Sequence, residues 1–162
     1  MPALSALAKH TWSDAFGAGV SPEDEEVELE EGRSETYFSN ALKEKTILVA
    51  EEDGALVGYV GFGAATIPEV EVQPGDRSIN RLYVDTVQQG RGLGRKLLEA
   101  ALQHPRLANA SRIFLTVWNE NERAVRLYEN FGFHRIGTTR FAIGAKTMED
   151  DVMLLDRTGA DG

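Results

Sequence analysis

The run Gln89-Gly90-Arg91-Gly92-Leu93-Gly94-Arg95 carries the strongest chemical signature in the chain. Three glycines within five positions let backbone N–H groups approach a ligand with no side chains in the way. A helix predicted to begin at once would add its own unpaired N–H groups and the positive end of its dipole, an arrangement suited to a pyrophosphate. Arg91 and Arg95 would bring mobile positive charge to the same anion. The same spacing also suits a tight strand-to-helix turn that needs glycine for its geometry alone. Two familiar loops are excluded. A Walker A loop ends in Gly-Lys-Ser/Thr, whereas Gly94 is followed by Arg95-Lys96-Leu97. A dinucleotide fingerprint has two residues between its second and third glycines, and Gly90-x-Gly92-x-Gly94 does not.

A second constellation is Asn121, Ala124, Tyr128 and Gly132-Phe133. Asn121 falls at a predicted helix start, where its side chain would cap the helix or reach a ligand. Ala124 leaves room alongside, and Tyr128 follows four positions later on the same helical face. A tyrosine there is both a proton donor and a large core aromatic, and spacing alone leaves the two roles open. Metal and thiol chemistry have no basis: there are no cysteines, and His10, His104 and His134 lie far apart without ligand spacing.

The elements that must position these residues follow from periodicity. Helical spacing runs over Ala3–Phe16, and Ser21-Pro22 predicts a second helix start. A densely acidic stretch, Glu23 to Glu35, follows it, with Arg33 as its one basic residue; Tyr37, Phe38, Ala41 and Leu42 then restore helical spacing. Strand patterns cover Thr46–Glu51 and Ala55–Phe62, joined at Asp53-Gly54, a strong hairpin signal. Ile67 to Arg77 predicts a long loop, with Pro68, Pro74 and Gly75. Then come a strand over Ser78–Asp85, a helix from Leu93 stopped by Pro105, a strand over Ile113–Trp118 and a helix ending at Gly132. Strands are predicted near Phe133–Ile143 and over Val152–Asp156, and the tail Arg157–Gly162 is expected to be disordered.

At 162 residues, 42% hydrophobic and 27% charged, the chain is expected to form one mixed α/β domain. No apolar run approaches the roughly 18 residues of a membrane span. A net charge of −9 argues against nucleic-acid binding and suits a cationic partner. The expectation is a cytoplasmic, metal-free protein.

Taken together and in this order, Gln89-x-x-Gly92-x-Gly94 and Asn121…Tyr128…Gly132-Phe133 resemble the GNAT superfamily of acetyl-CoA-dependent N-acyltransferases. The resemblance runs from about Trp12 to Asp156 and is strongest from Ile79 to Phe133. It implies a mixed, mostly antiparallel sheet flanked by helices, with two middle strands splayed into a V-shaped cleft. Acetyl-CoA would lie in that cleft as cosubstrate, its pantetheine arm along Leu82, Tyr83 and Val84. Its pyrophosphate would meet Gln89, Gly90, Arg91, Gly92, Leu93, Gly94 and Arg95. The resemblance gives the Val84 N–H the task of polarising the thioester carbonyl and gives Tyr128 that of donating a proton to the departing thiolate or holding it by a hydrogen bond. Asn121 would hold the pantetheine arm or help order the surroundings of Tyr128, and Ala124 would count among the cofactor-binding residues.

Relatives often carry an acidic residue where Asn80 stands, and Asn cannot accept a proton near neutral pH. The base would then be water, a backbone carbonyl or a carboxylate such as Asp14, Asp85, Glu149 or Asp150. Trp118-Asn119-Glu120-Asn121, Thr139 to Gly144 and Glu149 to Leu154 resemble a bacterial branch related to spermidine/spermine N-acetyltransferases. The acceptor implied is a small primary amine, with a polyamine preferred. The alternatives are a protein N-terminus or lysine, or CoA binding without turnover. Relatives usually begin with a further strand before the first helix. Its loss would bare a sheet edge and favour a homodimer.

Overall fold

The computed structural model describes residues 2–16, 21–65, 72–85, 92–143 and 146–157. Helices α1 (Pro2–Phe16), α2 (Pro22–Arg33) and α3 (Glu35–Ala41) precede a hairpin of β1 (Thr46–Glu52) and β2 (Ala55–Ala64). Next come β3 (Arg77–Val84), α4 (Leu93–Gln103), the short α5 (Pro105–Ala108), β4 (Arg112–Trp118), α6 (Glu122–Asn130), β5 (His134–Ile143) and β6 (Lys146–Asp156). The six strands form one sheet in the order β1-β2-β3-β4-β6-β5. Only the β3–β4 neighbours run parallel; the other pairs are antiparallel.

Local chemistry explains most boundaries. Ser21 caps α2 by accepting from the Asp24 N–H, and Pro22 takes the position where a missing N–H costs nothing. Glu23, Asp24 and Glu25 fill the first turn, where the helix dipole favours negative charge. Ser34 breaks the acidic helix and caps α3 by accepting from the Tyr37 N–H. Asp53 and Gly54 both take positive φ, 54° and 82°, as a two-residue hairpin turn with the right twist requires.

Two expectations need correction. Pro105 does end α4, but it also starts α5, with the His104 ring nitrogen capping the Arg106 N–H. The last strand begins at Lys146 rather than near Val152, so the acidic run Glu149-Asp150-Asp151 lies inside a strand. Acidic residues are poor strand formers, but continuous pairing to β4 on one side and β5 on the other overrides that preference. The predicted disordered tail falls, apart from Arg157, outside the described residues.

The largest apolar cluster lies on the sheet face that carries Val60, Ile79, Ile113, Leu115 and Met153, under α4 and α6. Leu4, Leu7, Ala8 and Phe38 pack α1 and α3 on Tyr59 of the opposite face. Farther along that face, Phe114, Val152 and Leu154 form a third cluster with Ala65. Among the described glycines, Gly58 on β2 leaves the least room for a side chain. A Cβ there would stand 3.0 Å from Leu97 Cδ1 and 3.0 Å from the Tyr83 carbonyl oxygen. Backbone oxygen cannot step aside cheaply, so Gly58→Ala is expected to lose about 1–3 kcal/mol by overpacking. Urea denaturation checks this, and an unchanged midpoint would contradict it.

Candidate active site

The site begins where the sheet comes apart. β3 and β4 pair over only three rows, Arg77 with Ile113, Ser78 with Phe114 and Ile79 with Leu115. Beyond Ile79, β3 continues to Val84 alongside β2, and β4 continues to Trp118 alongside β6. The two central strands therefore diverge into a V. The divergence starts at a bulge, because Gly61 faces Arg81 while Phe62 faces Ile79, which leaves Asn80 as the extra residue. A bulge bends its strand and sharpens the local twist, which turns β3 away from β4.

The closed end of the V is clamped. Asp76, just before β3, accepts from Arg112 Nε at 3.2 Å and from Arg112 Nη2 at 2.9 Å, at the first residue of β4. The Gln73 N–H also reaches the Asp76 carboxylate, and the guanidinium lies over the Phe114 ring. Nothing in the spacing of Asp76 and Arg112 marks them as partners.

On the open limb, the Asp85 N–H donates to the Val57 carbonyl at 2.8 Å. Residues in antiparallel strands alternate between hydrogen-bonded and non-hydrogen-bonded pairs, so Tyr83 also turns its backbone toward β2. Leu82 and Val84 turn theirs to the side from which β4 has departed. Of the three predicted β3 residues, two thus present peptide groups to the gap.

The glycine loop is described from Gly92 onward; Gln89, Gly90 and Arg91 lie outside the described residues. Gly92 precedes α4 at φ +79°, and among the described residues no atom lies within 4 Å of where a Cβ would sit. Such a helix entry leaves backbone N–H groups free of side-chain cover, which suits an anion. At Gly94 a Cβ would stand 3.5 Å from Leu127 Cδ2 of α6, an ordinary contact, so helix packing does not by itself require glycine there. Leu93 is half-buried at the start of α4. Arg95 is exposed, ion-paired to Glu99 and lying over the Phe131 ring.

On α6, the Asn121 Oδ1 accepts from the Ala124 N–H, so of its two predicted roles the cap is the one seen. Ala124 is half-buried against the main core. Tyr128 is 6% exposed and stands edge-on to Phe133. Burial pushes its phenol far above the ordinary tyrosine range, and the Tyr83 phenol adds to the shift. That coupling spans the opening, since Tyr83 packs on the α1–α3 face and Tyr128 on the α4–α6 face.

The conserved-sequence models of known families match residues 5–133 of this chain to the acetyltransferase (GNAT) family. The chain belongs to the GNAT acetyltransferase family. An uncharacterized N-acetyltransferase from the pepI 3′ region of Lactobacillus delbrueckii subsp. lactis is 30% identical over 152 residues, covering 93% of this chain and 88% of that protein. The spermine/spermidine N(1)-acetyltransferase of Bacillus subtilis is 36% identical over 97 residues, 59% of this chain and 63% of the relative. The fold matches the crystal structure of the PaiA N-acetyltransferase of Thermoplasma acidophilum in complex with coenzyme A. The TM-score is 0.74, with 19% identity over 96% of this chain and 91% of that one. GNAT membership supports acetyl-CoA as the cosubstrate, and the V between β3 and β4 is an opening that could take it. The turned-out peptide groups of Leu82 and Val84 fit an amide-bearing arm, and the open Gly92 turn fits its phosphates.

Of the four carboxylates weighed as bases, Asp85 stands 3.5 Å from His10 Nε2, and the side chain of Asp14 lies outside the described residues. Glu149 sits opposite Arg140 in the β5–β6 register. Asp150 differs, because its Oδ1 is buried without a hydrogen-bond partner. The Asn80 Oδ1 is in the same condition. Among the described residues no group of His, Asp or Glu has the arrangement of a metal site, and no helix is long and apolar enough to cross a membrane.

Proposed function

We propose that this GNAT enzyme uses acetyl-CoA to acetylate the primary amine of a small polycation, with spermidine-like polyamines the preferred class. The observation that carries the acyl-CoA part is the divergence of β3 from β4, with Leu82 and Val84 turning backbone groups into the gap. Acetyl-CoA supplies an activated acetyl group. The protein holds the thioester carbonyl against the Val84 N–H and places the Tyr128 hydroxyl at the leaving sulfur. Orientation alone supplies much of the rate once both substrates are held in line.

The polyamine part is supported by the Bacillus subtilis relative and by charge. Some of the acidic segment already has structural work: Glu28 faces Arg33 at 3.8 Å, and Glu30 pairs with Lys9 at 3.0 Å. A hollow of about 510 Å³ beside α2 and α3 nevertheless has Glu30, Glu31 and Glu44 in its wall, against the single cation Lys45. Clustered carboxylates attract a polycation over about a Debye length, ~8–10 Å at physiological salt.

The test is release of CoA thiol from acetyl-CoA with spermidine, with a monoamine of similar length and with a peptide bearing a free N-terminus and a lysine. Spermidine is expected to give the highest kcat/KM. Its KM should rise with added salt more steeply than that of the monoamine. Turnover with the peptide alone would instead assign a protein amine as acceptor.

A further inference from the structure

Two buried oxygen acceptors without donors flank the acceptor side of the split. They sit on the same face of the sheet. Phe114, Val152 and Leu154 pack together on that face, and strand alternation puts Thr116, Trp118 and Asp150 there with them. Asn80 joins them, because its Nδ2 donates to the Ser78 hydroxyl, and Ser78 is the parallel partner of Phe114. The Ser78 hydroxyl donates in turn to the Ala64 carbonyl, which leaves the Asn80 Oδ1 pointing elsewhere. Asp150 pairs with Trp118, the last row of β4, in the limb of the V that has left β3. A buried acceptor with no donor is costly, and native structures leave few of them. Two at one opening call for a ligand that donates hydrogen bonds.

We propose that Asp150 receives the ammonium group of the acceptor and takes its proton, with the Asn80 carbonyl oxygen as the second anchor. This rests on the amine-acetylating reading above. The ammonium gives one proton to Asp150, which frees the nitrogen lone pair. The C–N bond forms as the C–S bond breaks, nitrogen loses its second proton and sulfur gains one. One ammonium and one thioester thus yield one amide, one thiol and one proton, which Asp150 passes to solvent.

The charges around Asp150 are compatible with this task. Burial, the largest cause, pushes its carboxyl up to about 6; a hydrogen bond with Thr116 opposes the shift and Asp151 adds to it. Asp151 is itself paired with Arg135 of β5 at 3.0 Å. Glu149 and, on β5, Arg140 flank the site, and the helix that packs on β5 is the acidic α2. Across β4 the facing side chains are Thr116 and Trp118, which do not titrate in this range. A carboxylate raised toward neutrality is a better proton acceptor than an ordinary one.

The experiment compares wild type with Asp150→Asn, using spermidine and the same amine panel from pH 5 to 9. Loss of about 100-fold in kcat/KM at pH 8 is expected, within the range for a positioned base. The wild-type acid limb near pH 6 should vanish in the variant, while CoA affinity measured by calorimetry stays the same. Melting temperature separates this from a structural role. A carboxyl whose folded pKa is raised holds its proton in the native state between about pH 4 and 6, so stability falls as pH rises through that window. Asp150→Asn should therefore melt higher than wild type at pH 8, with a smaller gain at pH 4. A variant that melts lower, or that keeps its activity and acid limb, overturns the assignment. If wild type releases CoA with no amine, the amine-acetylating reading itself fails. Asp150 is then judged by spermidine binding to the CoA-loaded protein. Binding that tightens above pH 6 in wild type alone supports the assignment. No binding, or binding indifferent to the substitution, overturns it.

Discussion

Tyr128→Phe is expected to lower kcat about 1,000-fold, within the range for a positioned proton donor, and to leave acetyl-CoA affinity nearly unchanged. Phenylalanine keeps the ring that packs on Phe133 and fills the same buried site, so the fold should be intact. What is lost is the phenolic proton. Burial and the neighbouring Tyr83 phenol hold Tyr128 protonated well beyond the ordinary tyrosine range. In the proposed role of proton donor Tyr128 would be recharged after each turnover, and no alkaline limb below about pH 10 should arise from it. Steady-state kinetics with a thiol reagent, paired with CoA titration calorimetry, gives both quantities. A variant with wild-type kcat would make Tyr128 a packing residue and move the proton source elsewhere. A variant with lost CoA affinity would make it a binding residue.

Asp76→Ala should be the most damaging single change to the scaffold. The carboxylate is almost fully buried and holds the Arg112 guanidinium through two hydrogen bonds, with a third from the Gln73 N–H. Its removal leaves a partly buried guanidinium short of its charge partner against Phe114, a loss of about 3–5 kcal/mol. For a chain of this size that lowers the melting temperature by about 10 °C. The location gives the loss a functional reading as well. Asp76 and Arg112 tie β3 to β4 at the closed end of the V, next to the row Arg77–Ile113. Loosening it should weaken acetyl-CoA binding although neither residue lies in the gap. Urea denaturation and CoA calorimetry on the same variant check the two parts. A destabilisation below about 1 kcal/mol would mean that the pair is worth no more than an exposed salt bridge.

The elements of this protein were legible because local rules and tertiary packing agree along most of the chain. Ser21-Pro22 starts a helix, Asp53-Gly54 turns a hairpin, and Gly132 ends α6 at φ +98°. The apolar spacing of Leu97, Leu98 and Ala101 buries the face it predicts. Where the reading fell short, nonlocal pairing had overruled local preference. Acidic residues do not announce a strand, so Glu149-Asp150-Asp151 was placed outside β6. Val152 and Leu154 already gave the alternation that puts Asp150 on their face, two residues earlier. Asn80 was noted for its missing carboxylate. Its position as the bulge residue depends on the β2 register, which spacing does not report.

The order of residue types along one stretch determined the family and the chemistry. A glycine turn between a strand and a helix, then a tyrosine on the next helix, is a local pattern, set by φ freedom and by the 3.6-residue period. The tertiary structure decided which groups meet. The opening exists because β3 and β4 stop pairing after Ile79 and Leu115, and the Asp76–Arg112 clamp joins residues 36 apart in sequence. Asp150 was separated from three other carboxylates because burial, which depends on every packed neighbour at once, removed water from one of its oxygens and put no donor in its place.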